Sequence, residues 1–215
     1  MGTQPTPFFL VTVERKLSHI TGVLLAGGQS RRMGRDKRNL LISGETLFNH
    51  VLHALESVFS EIIIVVGANS SVEHNMTHQV VTDLIPDKGS AGGLYTGLTY
   101  SSTPQVFAAA CDMPFLNPAV IRTVCRLSSS TDVTMVKVSK GFQPLHSVYS
   151  KQCLPVLQRM IHADRLCIQD LLSQGDLKTK ILDQEAVRDI DPEFRSFLNV
   201  NTPADLDNAE KLVRQ

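Results

Sequence analysis

A dense group of cations follows two consecutive glycines near the start of the chain. Gly27 and Gly28 end an apolar run, and Arg31, Arg32 and Lys37 follow within ten residues. Glycines let the main chain approach a ligand closely and point successive N–H groups at one anion, while guanidinium groups bind phosphate through two hydrogen bonds. The segment therefore predicts a phosphate cradle. The alternative is a tight turn followed by a solvated basic face.

This segment matches neither of two common nucleotide-binding fingerprints. The Walker pattern G-x-x-x-x-G-K-[ST] and the dinucleotide pattern G-x-G-x-x-G are both absent from the sequence. ATPase motors and nicotinamide enzymes are therefore weaker hypotheses than other phosphate-binding proteins.

Two aspartates follow predicted strands. Asp83 comes after the strand at residues 80–82, and Asp112 comes after the strand at residues 106–111. Ligands of open α/β sheets bind at the carboxyl ends of strands, and Mg²⁺ takes one or two carboxylates together with substrate phosphate oxygens. Pro114 keeps the residue before it out of the helical region, so Asp112 is the stronger candidate for a metal ligand. Capping of a loop is the alternative role for both carboxylates.

Two further segments predict ligand contacts. Residues 89–93 are glycine-rich and lead into a helix predicted from about Leu94, so their N–H groups suit a base or a second phosphate. Asn199 and Asn201 flank Val200 in a strand-like piece, where their amides point the same way and suit metal or substrate. A plain connector and capping asparagines are the respective alternatives.

The elements that position these residues alternate between short apolar runs and amphipathic helical segments. This alternation is typical of a parallel sheet with helices on both faces. It predicts a single-domain, Rossmann-like, doubly wound α/β fold with a mostly parallel sheet, clearest over about the first 130 residues. The predicted strands are 20–26, 62–66, 80–82, 106–111, 133–138 and 147–149, and the predicted helices are 46–59, one from Leu94, one from Pro118, 154–161, 168–172 and one from Ala204.

Composition narrows the class of protein and of partner. The 215 residues are 42% hydrophobic and 20% charged, which is typical of globular proteins. With 21 basic and 21 acidic residues, the chain has no global field for nucleic acid or an anionic membrane. The four cysteines show neither a C-x-x-C pair nor zinc-ligand spacing, so we expect reduced thiols.

The sequence also predicts the cellular location and the domain boundaries. Apolar runs fall short of the roughly 20 residues that span a bilayer, and the N-terminus lacks a secretory pattern, so we expect a cytoplasmic protein. We predict a leader at 1–17, with its order left open, and one domain at 18–215. Within that domain, 18–130 is the predicted nucleotide-binding half and 131–215 the predicted acceptor-binding half.

Several segments together resemble the molybdenum cofactor guanylyltransferases, within the nucleotide-diphospho-sugar transferase type of α/β nucleotidyltransferases. In chain order they are Leu25-Ala26-Gly27-Gly28, Arg31-Arg32-Met33-Gly34, Asp36-Lys37, Val81-Thr82-Asp83, residues 89–94, residues 111–116, Gln143-Pro144-Leu145 and residues 199–203. The resemblance covers about residues 20 to 210.

The resemblance implies transfer of GMP from GTP to molybdenum-bound molybdopterin, with Mg²⁺, to give the guanine dinucleotide cofactor and pyrophosphate. It also implies transient contact with molybdoenzymes or their chaperones. The implied nucleotide-binding residues are Leu25, Ala26, Gly27, Gly28, Lys37, Asn69, Asp83, Gly93 and Asp112. The implied catalytic residues are Arg31, Arg32, Lys37 and Asp112, the last as metal ligand, and the implied acceptor-binding residues are Gln143, Asn199 and Asn201. The sequence leaves open the role of His146 and of the C-terminal half in acceptor binding.

Three alternatives stay open at this point. The alternatives to the guanylyltransferase are a cytidylyltransferase for the same cofactor and a sugar-phosphate nucleotidyltransferase, although Leu-Ala-Gly-Gly resembles the guanylyl branch and the cytidylyl branch more often has Leu-Ala-Ala-Gly. A non-catalytic nucleotide-binding regulator is the rival from another class. Such a regulator does not need Lys37, Asp83 and Asp112 together, and the chain has all three.

Overall fold

The structure, a computed structural model, describes residues 14–27, 37–67 and 77–214. The strands are β1 (Ile20–Leu25), β2 (Leu41–Ile42), β3 (Glu45–Thr46), β4 (Ile62–Val66), β5 (Gln79–Thr82), β6 (Gln105–Ala110), β7 (Val133–Val138), β8 (Gly141–Ser150) and β9 (Thr179–Asp183). The α-helices are α1 (Leu47–Val58), α2 (Gly89–Tyr100), α3 (Pro118–Leu127), α4 (Cys153–His162) and α5 (Pro203–Val213). Short 3-10 helices span Lys37–Asn39, Ile168–Ser173, Gln184–Val187 and Arg195–Phe197.

Seven strands form one sheet in the order β5-β4-β1-β6-β8-β7-β9. Strands β5, β4, β1 and β6 are parallel, and β7 is parallel to β9. Strand β8 is antiparallel to both of its neighbours, because only two residues separate it from β7 and so short a link allows only a hairpin. The mostly parallel α/β fold is confirmed, and the β6–β8 pairing joins the two predicted halves in one sheet.

Helices cover both faces of the sheet, as predicted. Alternate residues of a strand point to opposite faces, so Ile62 and Ile64 pack in one core cluster with α1 and α3, while Ile63 and Val65 pack in a second with α2 and α4. Because β4 is buried on both faces, its sequence is a continuous apolar run. A smaller cluster joins α5 to the β2–β3 hairpin.

Several element boundaries differ from the sequence predictions. Helix α2 begins at Gly89 rather than near Leu94, and the predicted strand at 147–149 is the end of the longer β8. The predicted helix at 168–172 is a 3-10 helix, and the strand-like piece around Val200 pairs with no strand among the described residues. Three strands, β2, β3 and β9, were not predicted, because β2 and β3 have only two residues each and β9 has a single buried residue.

The chain is attached to the domain before the predicted boundary at residue 18. Leu17 donates its N–H to the carbonyl of Val58 at 2.7 Å, and Arg122 forms an ion pair with Glu14 at 2.7 Å. The last residues of the predicted leader therefore contact the domain, while residues 1–13 lie outside the described residues.

Two expectations about the chain as a whole have structural counterparts. All four cysteines lie in the described residues as thiols rather than disulfides, as predicted. In the described part of the chain, no helix combines the length and the apolar character needed to cross a bilayer.

Candidate active site

The carboxyl ends of four parallel strands meet at one edge of the sheet. The N–H of Ala26 donates to Val65, and the N–H of Asp83 donates to Val66, each at 2.8 Å. The chain leaves β1 toward β4 on one side of it and later enters β6 on the other side. Ligands of open α/β sheets bind at such a reversal of strand order, so the edge beyond β1 and β6 is the expected ligand crevice.

Gly27 permits a close approach of two strand ends at this edge. A Cβ atom at Gly27 would lie 2.9 Å from the backbone nitrogen of Gly67, which is closer than real Cβ contacts. The glycine is therefore needed for packing against the neighbouring strand end. Because Gly27 is exposed, its backbone also faces outward at the crevice.

Helix α2 points its N-terminus at the same edge. Gly93 lies against Leu25, since a Cβ atom there would be 3.1 Å from a leucine methyl carbon, and Gly97 lies still closer to Val23, at 2.5 Å by the same measure. The predicted glycine loop at 89–93 is thus the first part of α2 itself. The first N–H groups of a helix have no partner within it and favour an anion, so the prediction of a phosphate or base contact stays open.

Asp83 ties the end of β5 to the middle of α2. Its Oδ1 accepts the N–H of Ile85 at 3.1 Å and the hydroxyl of Thr96 at 2.9 Å. Thr96 is buried and its hydroxyl oxygen accepts the N–H of Leu84 at 3.0 Å. One carboxylate oxygen of Asp83 therefore has the structural, loop-capping role, and nucleotide binding by Asp83 stays a prediction.

Asp112 lies beside the closing segment of the chain. Its carbonyl accepts the N–H of Val200 at 2.8 Å, and its side chain is half-buried. Val200 is buried, whereas Asn199 and Asn201 on either side of it are exposed. The predicted strand is absent here, but the alternation that it implied is present, and the two asparagines flank the residue bonded to Asp112.

A capping box fixes the far end of this segment. Asp205 Oδ2 accepts the N–H groups of Asn201 at 3.0 Å and Thr202 at 2.8 Å, and the Thr202 hydroxyl accepts the N–H of Asp205 at 3.2 Å. The hydrogen bonds that the carboxylate accepts, first from the Asn201 N–H and then from the Thr202 hydroxyl, lower the pKa of the Asp205 carboxyl. The start of α5 therefore anchors Asn201 at the crevice.

Gln143 reaches the same edge from β8. His146, three residues later, pairs with Ala109 of β6, which is three residues before Asp112. Because the two strands are antiparallel, the first residues of β8 run past the carboxyl end of β6. The half-buried Gln143 donates from Nε2 to the carbonyl of Gly141 at 3.3 Å.

Part of the predicted site lies outside the described residues. These positions are Gly28, Arg31, Arg32 and Asn69, together with the side chain of Lys37, whose backbone opens a 3-10 helix. Gly27 and Lys37 border the gap, and the cationic cluster stays a prediction.

Known proteins are similar to this chain over most of its length. Residues 22–179 match the family model described as MobA-like NTP transferase domain. The chain belongs to this family. A molybdenum cofactor guanylyltransferase from Desulfosudis oleivorans is 34% identical over 198 residues, covering 91% of this chain and 96% of that protein. A protein of the same name from Syntrophotalea carbinolica is 32% identical over 197 residues, covering 91% of each chain.

Solved structures agree with this membership. Molybdopterin-guanine dinucleotide biosynthesis protein A from Archaeoglobus fulgidus superposes with a TM-score of 0.80 at 26% identity, covering 91% of this chain and 99% of that one. A 4-diphosphocytidyl-2C-methyl-D-erythritol synthase from Anaerococcus prevotii shares the fold, with a TM-score of 0.67 at 11% identity, covering 92% and 97%. This MobA-like domain is thus a nucleotidyltransferase, and the predicted family, fold and enzyme class are confirmed.

The structure places two further residues at the crevice that sequence reasoning missed. Thr96 supports Asp83 from within α2, and no local pattern separates it from other helical threonines. Lys88 directly precedes α2 and forms a 2.9 Å ion pair with Asp164. A lysine just before the glycine-rich segment was the available signal for it.

The donor set of the MobA-like domain fits Mg²⁺ carried by a nucleotide. In the ranges that the structure describes, no three His, Cys, Asp or Glu side chains are grouped to hold a metal. Nucleotide-bound Mg²⁺ takes only one or two protein carboxylates and obtains its other ligands from phosphate and water. Asp112 fits that need as a single hard oxygen donor.

Proposed function

We propose that this MobA-like domain transfers GMP from GTP to the terminal phosphate of molybdenum-bound molybdopterin, releasing pyrophosphate. The observation that carries the proposal is the position of Asp112 at the crevice. On the β1 side the N–H of Cys111, which directly precedes Asp112, donates to the carbonyl of Leu25 at 3.3 Å, and on the other side the N–H of Val200, between Asn199 and Asn201, donates to the carbonyl of Asp112. A donor and an acceptor can thus meet at Asp112. Relatives at 32–34% identity that carry the guanylyltransferase name support this substrate pair.

The donor nucleotide binds on the β1 and α2 side. The exposed backbone of Gly27, held in place by Leu25 and Ala26, and the first turn of α2 offer N–H groups to its phosphates. Asp83 holds α2 in place through Thr96. In this proposal Arg31, Arg32 and Lys37 balance the charge of the triphosphate.

The reaction needs positioning and charge neutralisation rather than a protein nucleophile. An oxygen of the acceptor phosphate forms a bond to the α-phosphorus of GTP. The bond from that phosphorus to the α–β bridging oxygen breaks, and its electron pair leaves with pyrophosphate. The acceptor phosphate is already ionised at neutral pH, so no strong general base is required.

Asp112 is the residue proposed to hold Mg²⁺, and Asp83 is proposed to belong to the nucleotide site. Bound Mg²⁺ supplies charge neutralisation to the triphosphate and the departing pyrophosphate. Asp112 also fixes the crevice through its carbonyl, which keeps Val200 in place.

The acceptor binds on the side of β8 and the closing segment. Gln143, Asn199 and Asn201 offer neutral amides, which both donate and accept hydrogen bonds to a polar acceptor. Because molybdenum-bound pterin is labile, we further propose direct, transient transfer of the product to molybdoenzymes or their chaperones.

The test is transfer of α-labelled phosphate to molybdenum-loaded molybdopterin with Mg²⁺, using GTP, CTP and ATP side by side. Label from GTP alone supports the proposal. Label from CTP would change the donor nucleotide in the proposal but keep its mechanism. Label from none of the three would indicate a different acceptor or a non-catalytic role.

A matched pair of variants tests the role of Asp112. Asp112→Asn keeps the shape of the side chain and removes its charge, so kcat should fall by about 100-fold or more. Asp176→Asn, at an exposed carboxylate that pairs with Arg159, should keep wild-type turnover. Wild-type turnover in the Asp112 variant would remove the metal ligand from the proposal.

A further inference from the structure

His146 is a buried polar side chain whose ring nitrogens form no well-aligned hydrogen bond with any described residue. It is 0% exposed, and the nearby backbone of Ser196 lies outside ideal hydrogen-bond geometry. Buried polar atoms without partners destabilise a fold, so an apolar residue of similar size would pack here with greater stability. The neighbours of the ring show what it does at this position.

The ring of His146 lies between two phenylalanines that belong to different parts of the site. It packs edge-on against Phe107 of β6, with centroids 5.2 Å apart, and tilted against Phe197, with centroids 4.6 Å apart. Phe107 lies on the strand that leads to Asp112, and Phe197 ends the last 3-10 helix, three residues before Val200. His146 therefore joins the catalytic strand to the closing segment.

The same 3-10 helix is held on its other sides by hydrogen bonds. The buried Asp191 accepts the N–H groups of Arg195 at 3.0 Å and Ser196 at 2.8 Å. The hydroxyl oxygen of Ser196 accepts the N–H of Asn117, which caps α3, at 3.1 Å. The hydrogen bonds fix the backbone of the turn, and the contact with His146 fixes its aromatic side chain.

We propose that His146 is a positioning residue whose ring seats Phe197 and thereby holds residues 197–201 against Asp112. The ring face performs this role, and the nitrogens do not. Burial, opposed by the Ser196 backbone and the Asp191 carboxylate, lowers the pKa of His146 to about 4, so the ring is neutral at physiological pH. The consequence for catalysis rests on the proposed function, in which Asn199 and Asn201 hold the acceptor.

Three variants separate the ring from its nitrogens and from general core packing. His146→Ala removes the seat of Phe197, and His146→Phe keeps an aromatic face without nitrogens. Val148→Ala is the matched control. Val148 is buried on the same strand as His146, two residues farther from the crevice, and it lies in the same core cluster as Phe107. All three are measured in the full chain.

The first measurement is hydrogen exchange at the amide of Val200, which donates to Asp112. His146→Ala should speed this exchange about tenfold or more, whereas the other two variants should stay within about twofold of wild type. Equal exchange in His146→Ala and Val148→Ala would overturn the proposal. This readout is independent of the substrate, so it stands even if the proposed function fails.

The second measurement separates the two substrates kinetically. In His146→Ala the KM for molybdenum-bound molybdopterin should rise about tenfold, while kcat and the KM for GTP change less than about twofold. His146→Phe should restore the acceptor KM. Failure of that rescue would assign the role to the nitrogens, and an equal rise in the KM for GTP would show a general loss of structure; either result refutes positioning by the ring.

Discussion

Acidification should destabilise the folded protein through His146. The pKa of this side chain falls from 6.5 to about 4 on folding, chiefly because burial penalises the charged ring. Below pH 6.5 the unfolded chain binds a proton there, whereas the folded chain does not until about pH 4. The contribution of neutral His146 to the free energy of unfolding is therefore complete above pH 6.5. It decreases as the pH falls and no longer changes below about pH 4.

The size of the effect follows from this window. It spans about 2.5 pH units, and each unit corresponds to about 1.4 kcal/mol, so the free energy of unfolding should fall by about 3 kcal/mol between pH 6.5 and pH 4. This loss is a large part of the free energy of unfolding of a typical domain, which is roughly 5–15 kcal/mol.

Urea unfolding at pH 7, 5.5 and 4 measures the effect in wild type, His146→Phe and Val148→Ala. Carboxylates that titrate in the same range cancel in the difference between variants. His146→Phe should therefore gain about 3 kcal/mol relative to wild type between pH 7 and pH 4, and Val148→Ala should keep a constant offset. Parallel curves for wild type and His146→Phe would refute the reasoning.

Three further substitutions, two in α2 and one at the end of β1, complete the set. Gly97→Ala places a Cβ atom 2.5 Å from a valine of β1 and should lower the free energy of unfolding by about 1–3 kcal/mol in urea titration, while Gly175→Ala, with nothing within 4 Å, should not lower it. Thr96→Val removes the hydroxyl that supports the β5 aspartate and should cost about 1–3 kcal/mol, against about 0.5 kcal/mol or less for the exposed Thr99→Val; equal losses would contradict its role. Gly27→Ala forces apart two backbones at a 2.9 Å contact and should raise the KM for GTP about tenfold, and an unchanged KM would place the nucleotide elsewhere.

The parts of the fold that sequence predicts well are those buried on both faces. Strands β1, β4 and β6 are almost wholly buried, so each is a visible apolar run, and the aspartates after β5 and β6 were correctly expected at one edge of the sheet. The start of α2 was misplaced because glycine has low helix propensity, and packing against β1 overrides that propensity.

The rest depends on contacts between residues far apart in sequence. The reversed β8 begins with five half-buried residues that carry no alternation. Solvent exposure alternates around Val200 because the Asp112 carbonyl and the cap of α5 fix the backbone there. No strand among the described residues pairs with this segment. The seat formed by His146 requires β6, β8 and the final 3-10 helix together, so no local window contains it.

Helix α2 has a consequence for how the protein folds. Four of its twelve residues are glycines, each worth roughly 1 kcal/mol less than alanine in a helix, so a free segment of this length does not hold a helix in water. It gains its conformation only when Gly93 and Gly97 dock on a sheet that already contains β1. A partly folded chain therefore lacks the first turn of α2, so nucleotide binding at that turn, as proposed, requires that β1 is already in the sheet.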